Sequence, residues 1–363
     1  MTETIGRRHA LKVGAVAGVA SSMAAPAVQT HAAASVQTLR MVTSWPADLP
    51  GPGVSARRIG ERITALTDGA VTVELHPAGT LVPALEVFDA VGAGLAELGH
   101  TASLFWTNKA PAAALFTAGP FGLTPSEHLV WLSQGGGQAL WDRLYAPFGL
   151  KPLAGGNTGM QMGGWYRREI SSVEDLRGAK LRMPGLGGAI MAELGATSVA
   201  IAPSEIFGAL RSGVVDGAEF LGPWSDRALG LHQAAPFYMW PGFHEPNGTG
   251  ELLINQQRWQ QFSPALRAVI THAAAAEHAA AAAEADWFNA GALNQLEQED
   301  GVATRPWPAD VLAAARDATV VVLDRLAAQG GITAEVVTSF RAVRSHLARW
   351  STVSQQAFLA ARD

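Results

Sequence analysis

Two glutamates stand where glutamates are expensive. Glu219 lies in VVDGAEFLGP (214–223) and Glu245 in PGFHEP (241–246), each inside an apolar or aromatic run. A lone buried carboxylate is costly unless it is paired or ligates a cation. Two such glutamates plus an amide carbonyl suit a hard cation. The amide has a source in AGGNTGMQMGGWYRRE (154–169), where five glycines let backbone approach a ligand closely and Asn157 and Gln161 carry side-chain amides. From Met160 on, that stretch alternates weakly, which puts Gln161 and Gly163 on one face of a strand. A plain strand with a glycine-rich entry turn and surface polar groups is the alternative.

Arg182 is the third candidate. It sits between Leu181 and Met183 in a short strand that Pro184 and Gly185 end at once. A guanidinium suits the grip of a carboxylate through two parallel hydrogen bonds, although a surface salt bridge would use the same residue. Other chemistries lack their motifs. There is no HExxH, P-loop, GxSxG or CxxC, and GLGG at Gly185 lacks the dinucleotide fingerprint. His100 and His244 lie near the site segments, but a lone histidine is more often packed than a ligand or base. The absence of cysteine excludes disulfides and thiolate metal sites. A net charge of -5 gives no reason to expect a nucleic-acid partner, so a small anion must be captured by a local positive group.

The elements that would position these residues follow a βαβα rhythm. Leu39–Trp45 reads as a strand, 54–67 as a helix, 71–75 as a strand and 83–93 as a second helix, which predicts a parallel sheet covered by helices. Leu98–Ser103 is the next strand, and Leu104-Phe105-Trp106 follows where strand ends face a ligand cleft in such folds. For Leu104 plain packing is the preferred reading. Helical pattern runs over 126–145 with a break at Gly135–Gly137, SVED (172–175) is a capping pattern, and 186–195 and 204–212 read as helices. Ser263-Pro264 starts a helix that extends to about Glu299, on the order of 50 Å. Two more helices, 308–329 and 334–362, close the chain. Phe340, Val343, Leu347 and Trp350 fall at helical spacing in the last, which suits a homodimer seam or packing on the chain's own domain.

The N-terminus points to export. GRRHALK (6–12) precedes an apolar small-residue run over 13–28, and HAAA (31–34) supplies an A-x-A cleavage site. Residues 1–34 are expected to be a twin-arginine type signal peptide, with Ala10 where an aromatic is common. The run is too short to span a bilayer as a retained anchor, so a soluble mature protein in the periplasm is expected.

Taken together, HPAGTLVPALEVFDAV (76–91), GGNTGMQMGGWYRREI (155–170), LRMPG (181–185), DGAEFLGP (216–223) and PGFHE (241–245) resemble the periplasmic solute-binding proteins of TRAP transporters. The likeness covers nearly the whole mature chain and is strongest to the branch that binds 2-oxo or 2-hydroxy acids with a cation. It implies an α/β, periplasmic-binding-protein-like fold: two domains (36–158 plus 247–284, and 159–246 plus 285–363), crossing strands, and a long helix spanning both. It implies that Arg182 pairs bidentately with the ligand carboxylate, that Asn157 hydrogen-bonds the ligand, and that Gln161, Glu219, the Phe220 carbonyl and Glu245 hold the cation. The implied partners are a small monocarboxylate such as pyruvate, 2-oxobutyrate or lactate and the TRAP membrane permease. Two positions depart from the pattern: Phe105 stands where relatives carry tyrosine, and Phe220 where they often carry tryptophan.

Charge bears on the ion. Two glutamates, one arginine and a monocarboxylate leave two negative charges, which calcium cancels and sodium halves, so burial favours calcium slightly and both ions stay open. An exported metal-dependent enzyme, with the glutamates holding a catalytic cation, is the second reading. A sensory protein that signals occupancy to a membrane receptor is the third.

Overall fold

Alternating, β-branched runs at the N-terminal end of the mature sequence pair as strands, and a computed structural model shows how. It describes residues 36–362; the leader expected over 1–34 lies outside the described residues. Among these residues the strands are β1 (Gln37–Thr43), β2 (Val71–His76), β3 (Leu98–Thr101), β4 (Leu150–Asn157), β5 (Gly164–Tyr166), β6 (Lys180–Arg182), β7 (Thr197–Val199), β8 (Gly217–Ala218), β9 (Phe237–Trp240), β10 (Thr249–Asn255) and β11 (Ala303–Pro306). The α-helices are α1 (Pro52–Leu66), α2 (Val87–Gly92), α3 (Pro125–Ser133), α4 (Gly137–Tyr145), α5 (Gly185–Glu193), α6 (Ile206–Ser212), α7 (Pro223–Ala228), α8 (Gln256–Gln261), α9 (Pro264–Gln298), α10 (Ala309–Ala327), α11 (Gly331–Ser351) and α12 (Ala357–Arg362).

Two sheets result. The first has the order β2-β1-β3-β10-β4 and the second β11-β9-β5-β8-β6-β7. The expected purely parallel sheet needs correction. β1 is parallel to β2 and β3, but β10 enters between β3 and β4 antiparallel to both. A strand arriving from 90 residues downstream has no helical crossover to set its direction, so the local βαβ rhythm could not reveal it. The second sheet is mixed as well, with β5 antiparallel to β8 and β9 and β6 parallel to β7 and β8.

The glycine-rich stretch also differs from expectation. Residues 158–163 form no strand; β4 ends at Asn157, β5 starts at Gly164, and Gln161 lies in the connection that carries the chain from one sheet to the other. Gly159 (φ 68°) and Gly164 (φ 101°) have backbone angles that side chains resist, and this breaks the alternation.

Helix signals read well. Thr124 and Ser172 form capping boxes with Glu127 and Asp175, and Ser263 caps α9 by accepting from Leu266 N–H. At 35 residues α9 is about 50 Å long and packs on β4, α1 and α7. The seam expected on α11 divides. Phe340 is buried against Trp131 and Val343 packs on the core, whereas Trp350 stays 67% exposed. Residues 36–362 form one compact unit.

Candidate carboxylate and cation site

Strand ends and the connections between sheets converge on one cavity of about 40 Å³, room for roughly three water molecules. From the first sheet come Trp45 just past β1, Ala102, Leu104 and Phe105 after β3, and Thr249 and Gly250 at the start of β10. From the second come Arg182 at the end of β6, Pro184, and Glu219, Phe220 and Leu221 after β8. The sheet-crossing connections add Thr158, Gln161 and Glu245. Leu104 packs in the hydrophobic core, as read, and also lines the cavity.

Arg182 is 2% exposed and heavily engaged. Its Nε donates to the Ile201 carbonyl (3.3 Å), and its Nη1 donates to Glu219 Oε1 (2.6 Å) and to the Glu219 carbonyl. A guanidinium offers two edges to a carboxylate, Nη1 with Nη2 or Nε with Nη2, and each edge here has one nitrogen committed. The expected bidentate grip on a ligand therefore requires Glu219 or Ile201 to give up a bond. The Glu219 side chain is the partner that can rotate away.

Glu219 Oε2 accepts from His244 Nε2 at 3.2 Å. A carboxylate oxygen accepts, so Nε2 carries the hydrogen and Nδ1 is left as a buried acceptor without a partner. One ligand atom each of Glu219, His244 and Glu245 lies within 4.8 Å of the others. Burial pushes the Glu245 carboxyl well above the usual range, the Glu219 charge pushes further, and Arg182 opposes both. Gln161 Nε2 donates to Thr158 Oγ1 (3.0 Å), while its Oε1 is buried with no partner. Two carboxylates sharing one arginine, beside an orphaned carbonyl oxygen, are a donor set that fits a hard cation.

Gly248 shapes this corner. A Cβ there would run into Thr158 Oγ1 and Gln161 Nε2, so only glycine lets β10 begin against the crossing segment. Asn157, in contrast, does not line the cavity. Its Nδ2 donates to Asn247 Oδ1 (2.8 Å) and its Oδ1 accepts from Gly159 N–H (2.8 Å). The amide pins the start of the crossing segment instead.

Several residues escaped the sequence reading. Thr117 points a buried, unpartnered hydroxyl at the cavity, and Thr158 and Trp45 line it. His244, read from sequence as a packed histidine, lies against Glu219. Its adjacency to Glu245 in an aromatic segment was the available signal; Thr117 carried none.

Comparison with known proteins fits this geometry. Residues 52–329 match the bacterial extracellular solute-binding protein family 7, DctP. A monocarboxylate 2-oxoacid-binding periplasmic protein of Nostoc sp. is 35% identical over 358 residues, 97% of each chain. A TRAP periplasmic solute-binding protein from Pseudoalteromonas atlantica, solved with sodium and pyruvate, is 32% identical with a TM-score of 0.87, covering 90% of this chain and 99% of that one. Another from Bordetella bronchiseptica, a mixed-occupancy dimer with calcium and picolinate in its active site, is 31% identical with a TM-score of 0.88, covering 90% and 97%. With a family match over residues 52–329 and this agreement in fold, the chain belongs to the bacterial extracellular solute-binding protein family 7, the DctP family of TRAP solute-binding proteins.

Proposed function

We propose that this protein captures a short 2-oxo monocarboxylate together with a sodium or calcium ion, closes its two sheets on the pair, and delivers the acid to a TRAP permease. The carrying observation is the convergence of Arg182, Glu219, Glu245 and the orphaned Gln161 Oε1 on one small cavity. Arg182 takes the ligand carboxylate. Gln161, Glu219, Glu245 and the Phe220 carbonyl hold the ion, and the ion in turn holds the carboxylate and the 2-oxo oxygen. The side of the cavity formed by Trp45, Leu104, Phe105, Pro184 and Leu221 is apolar and receives the acid's tail. A second carboxylate there would meet no cation, which disfavours dicarboxylates.

The acid is carried unchanged, because Glu219 and Glu245 are spent on the ion and no further base lines the cavity. Thermal shift of the leaderless protein against pyruvate, 2-oxobutyrate, lactate and succinate, each with sodium, with calcium and with chelator, tests the whole reading. Cation-dependent stabilisation by the monocarboxylates supports it; stabilisation by succinate with chelator present sinks it. Recovery of intact pyruvate after long incubation separates carriage from catalysis.

Two finer expectations accompany this reading. Trp350, Val353, Phe358 and Leu359 leave an apolar strip on the last helices, which suits a homodimer, and sedimentation at micromolar concentration checks it against a Trp350→Glu variant. Export by the twin-arginine route predicts that Arg7→Lys with Arg8→Lys leaves the precursor uncleaved in the cytoplasm.

A further inference from the structure

Trp45 forms part of the cavity wall, yet its only polar side-chain atom faces away from the cavity. The indole Nε1–H donates to His100 Nδ1 at 2.8 Å. His100 is fully buried, and its Nε2 lies 2.6 Å from the Gly155 carbonyl on β4. A carbonyl only accepts, so Nε2 carries the hydrogen and Nδ1 presents a lone pair to the indole. Burial holds the His100 pKa down at about 4, which keeps this neutral tautomer through the ordinary pH range.

The main chain of Trp45 is fixed on its own terms: its N–H and carbonyl both engage Thr43 Oγ1, and the carbonyl also accepts from Ala78 N–H. Those bonds fix the main chain without engaging the indole N–H. Its tilted contact with Phe105, at 6.1 Å between centroids, would tolerate several ring orientations. The bond to His100 selects the one in which carbon atoms alone face the ligand.

We infer that His100 is a positioning residue for ligand selectivity: by taking the Trp45 N–H it keeps the indole face of the cavity free of a donor, without itself touching the acid. This rests on the function proposed above. The consequence is a preference for acids with an apolar tail, such as pyruvate, over the same acid with a tail hydroxyl, such as hydroxypyruvate.

The test is a double-mutant cycle read by calorimetry with pyruvate and calcium, repeated with hydroxypyruvate. His100→Gln overlays an amide donor on Nε2, keeping the Gly155 bond and losing the acceptor for Trp45. His100→Asn does the reverse, overlaying an acceptor on Nδ1. The expected result is that Gln weakens pyruvate binding about tenfold, the worth of one hydrogen bond, and narrows the pyruvate-to-hydroxypyruvate ratio, while Asn restores both. In a Trp45→Phe background, with no N–H to hold, Gln should have no further effect. Equal losses from Gln and Asn, or a Gln loss that persists in Trp45→Phe, would make His100 a strand anchor and overturn the inference while leaving the proposed function intact. Failure of the unmodified protein to bind any 2-oxo acid would overturn both.

Discussion

Glu219 has two claimants. Arg182 holds one of its oxygens at 2.6 Å, and the pair is 2% exposed on both sides, so neither charge has water to fall back on. On the proposed function, a cation beside Glu245 would compete for the same carboxylate, and each bond it won from the Glu219 side chain would free Nη1 of Arg182 for the ligand. Binding of ion and acid is then linked through one side chain, and linkage is reciprocal: the factor by which calcium tightens pyruvate equals the factor by which pyruvate tightens calcium. Glu219→Gln is expected to reduce both factors toward one, measured by titrating each partner with the other present or absent. Arg182→Lys keeps the charge but loses the fork, and should weaken pyruvate tenfold or more, the range of a charge-assisted bond. Gln161→Leu separates binding from folding. The change removes the orphaned Oε1 and also the Nε2 bond to Thr158 Oγ1, so ion-free stability should fall by no more than one hydrogen bond, about 1 kcal/mol, while calcium affinity falls further; a larger ion-free loss would show that Oε1 has a structural partner.

Elements decide where such residues can meet. β4 delivers Asn157 to the crossing point, the 158–163 connection delivers Gln161, and β10 returns at Gly248 against both. Gly248→Ala should therefore act on the site as well as the fold. Overpacking costs about 1–3 kcal/mol, and displacing Gln161 should lower calcium affinity beyond what the stability loss explains, a comparison that calorimetry and chemical denaturation settle together. Most helices were legible because their signals are local: the caps at Ser172 and Ser263 sit one turn from what they cap, whereas the Thr124 cap was not read. Arg182, Glu219 and Glu245 were legible for a related reason, since each is a charge in an apolar stretch and burial can be read from neighbours. The antiparallel entry of β10, and the short strands β7, β9 and β11, depend on partners far away in sequence and left no such trace. Asn157 shows the limit at a single side chain. Its type and setting suit ligand binding and internal pinning equally, and the bond to Asn247 could not be read from sequence.

Over the whole molecule, buried ionisable groups set how stability responds to pH. Burial holds His100 and His128 down at about 4, against 6.5 when unfolded, so between these values the unfolded chain takes up protons that the folded chain refuses. Each of these histidines makes the fold less stable as pH falls through that window. Asp226 and Glu251 act in the opposite sense. Burial raises both to about 7 in spite of three donors apiece, among them Trp165 and Tyr238 on Asp226 and Trp106 and Tyr145 on Glu251. The folded state then binds their protons first, and stability grows as pH falls from 7 toward 4. His278 and the half-buried His232 add to the first kind and Glu245 to the second, so the two kinds oppose one another in overlapping windows and the melting temperature should change little between pH 5 and 6.5. Single substitutions would expose the balance. His128→Gln should make the protein gain stability on acidification relative to the parent, by up to about 1.4 kcal/mol per pH unit, and Asp226→Asn should make it lose stability by a similar slope. Parallel stability profiles for the parent and both variants, measured by denaturation at several pH values, would show that these groups titrate alike in the folded and unfolded chain.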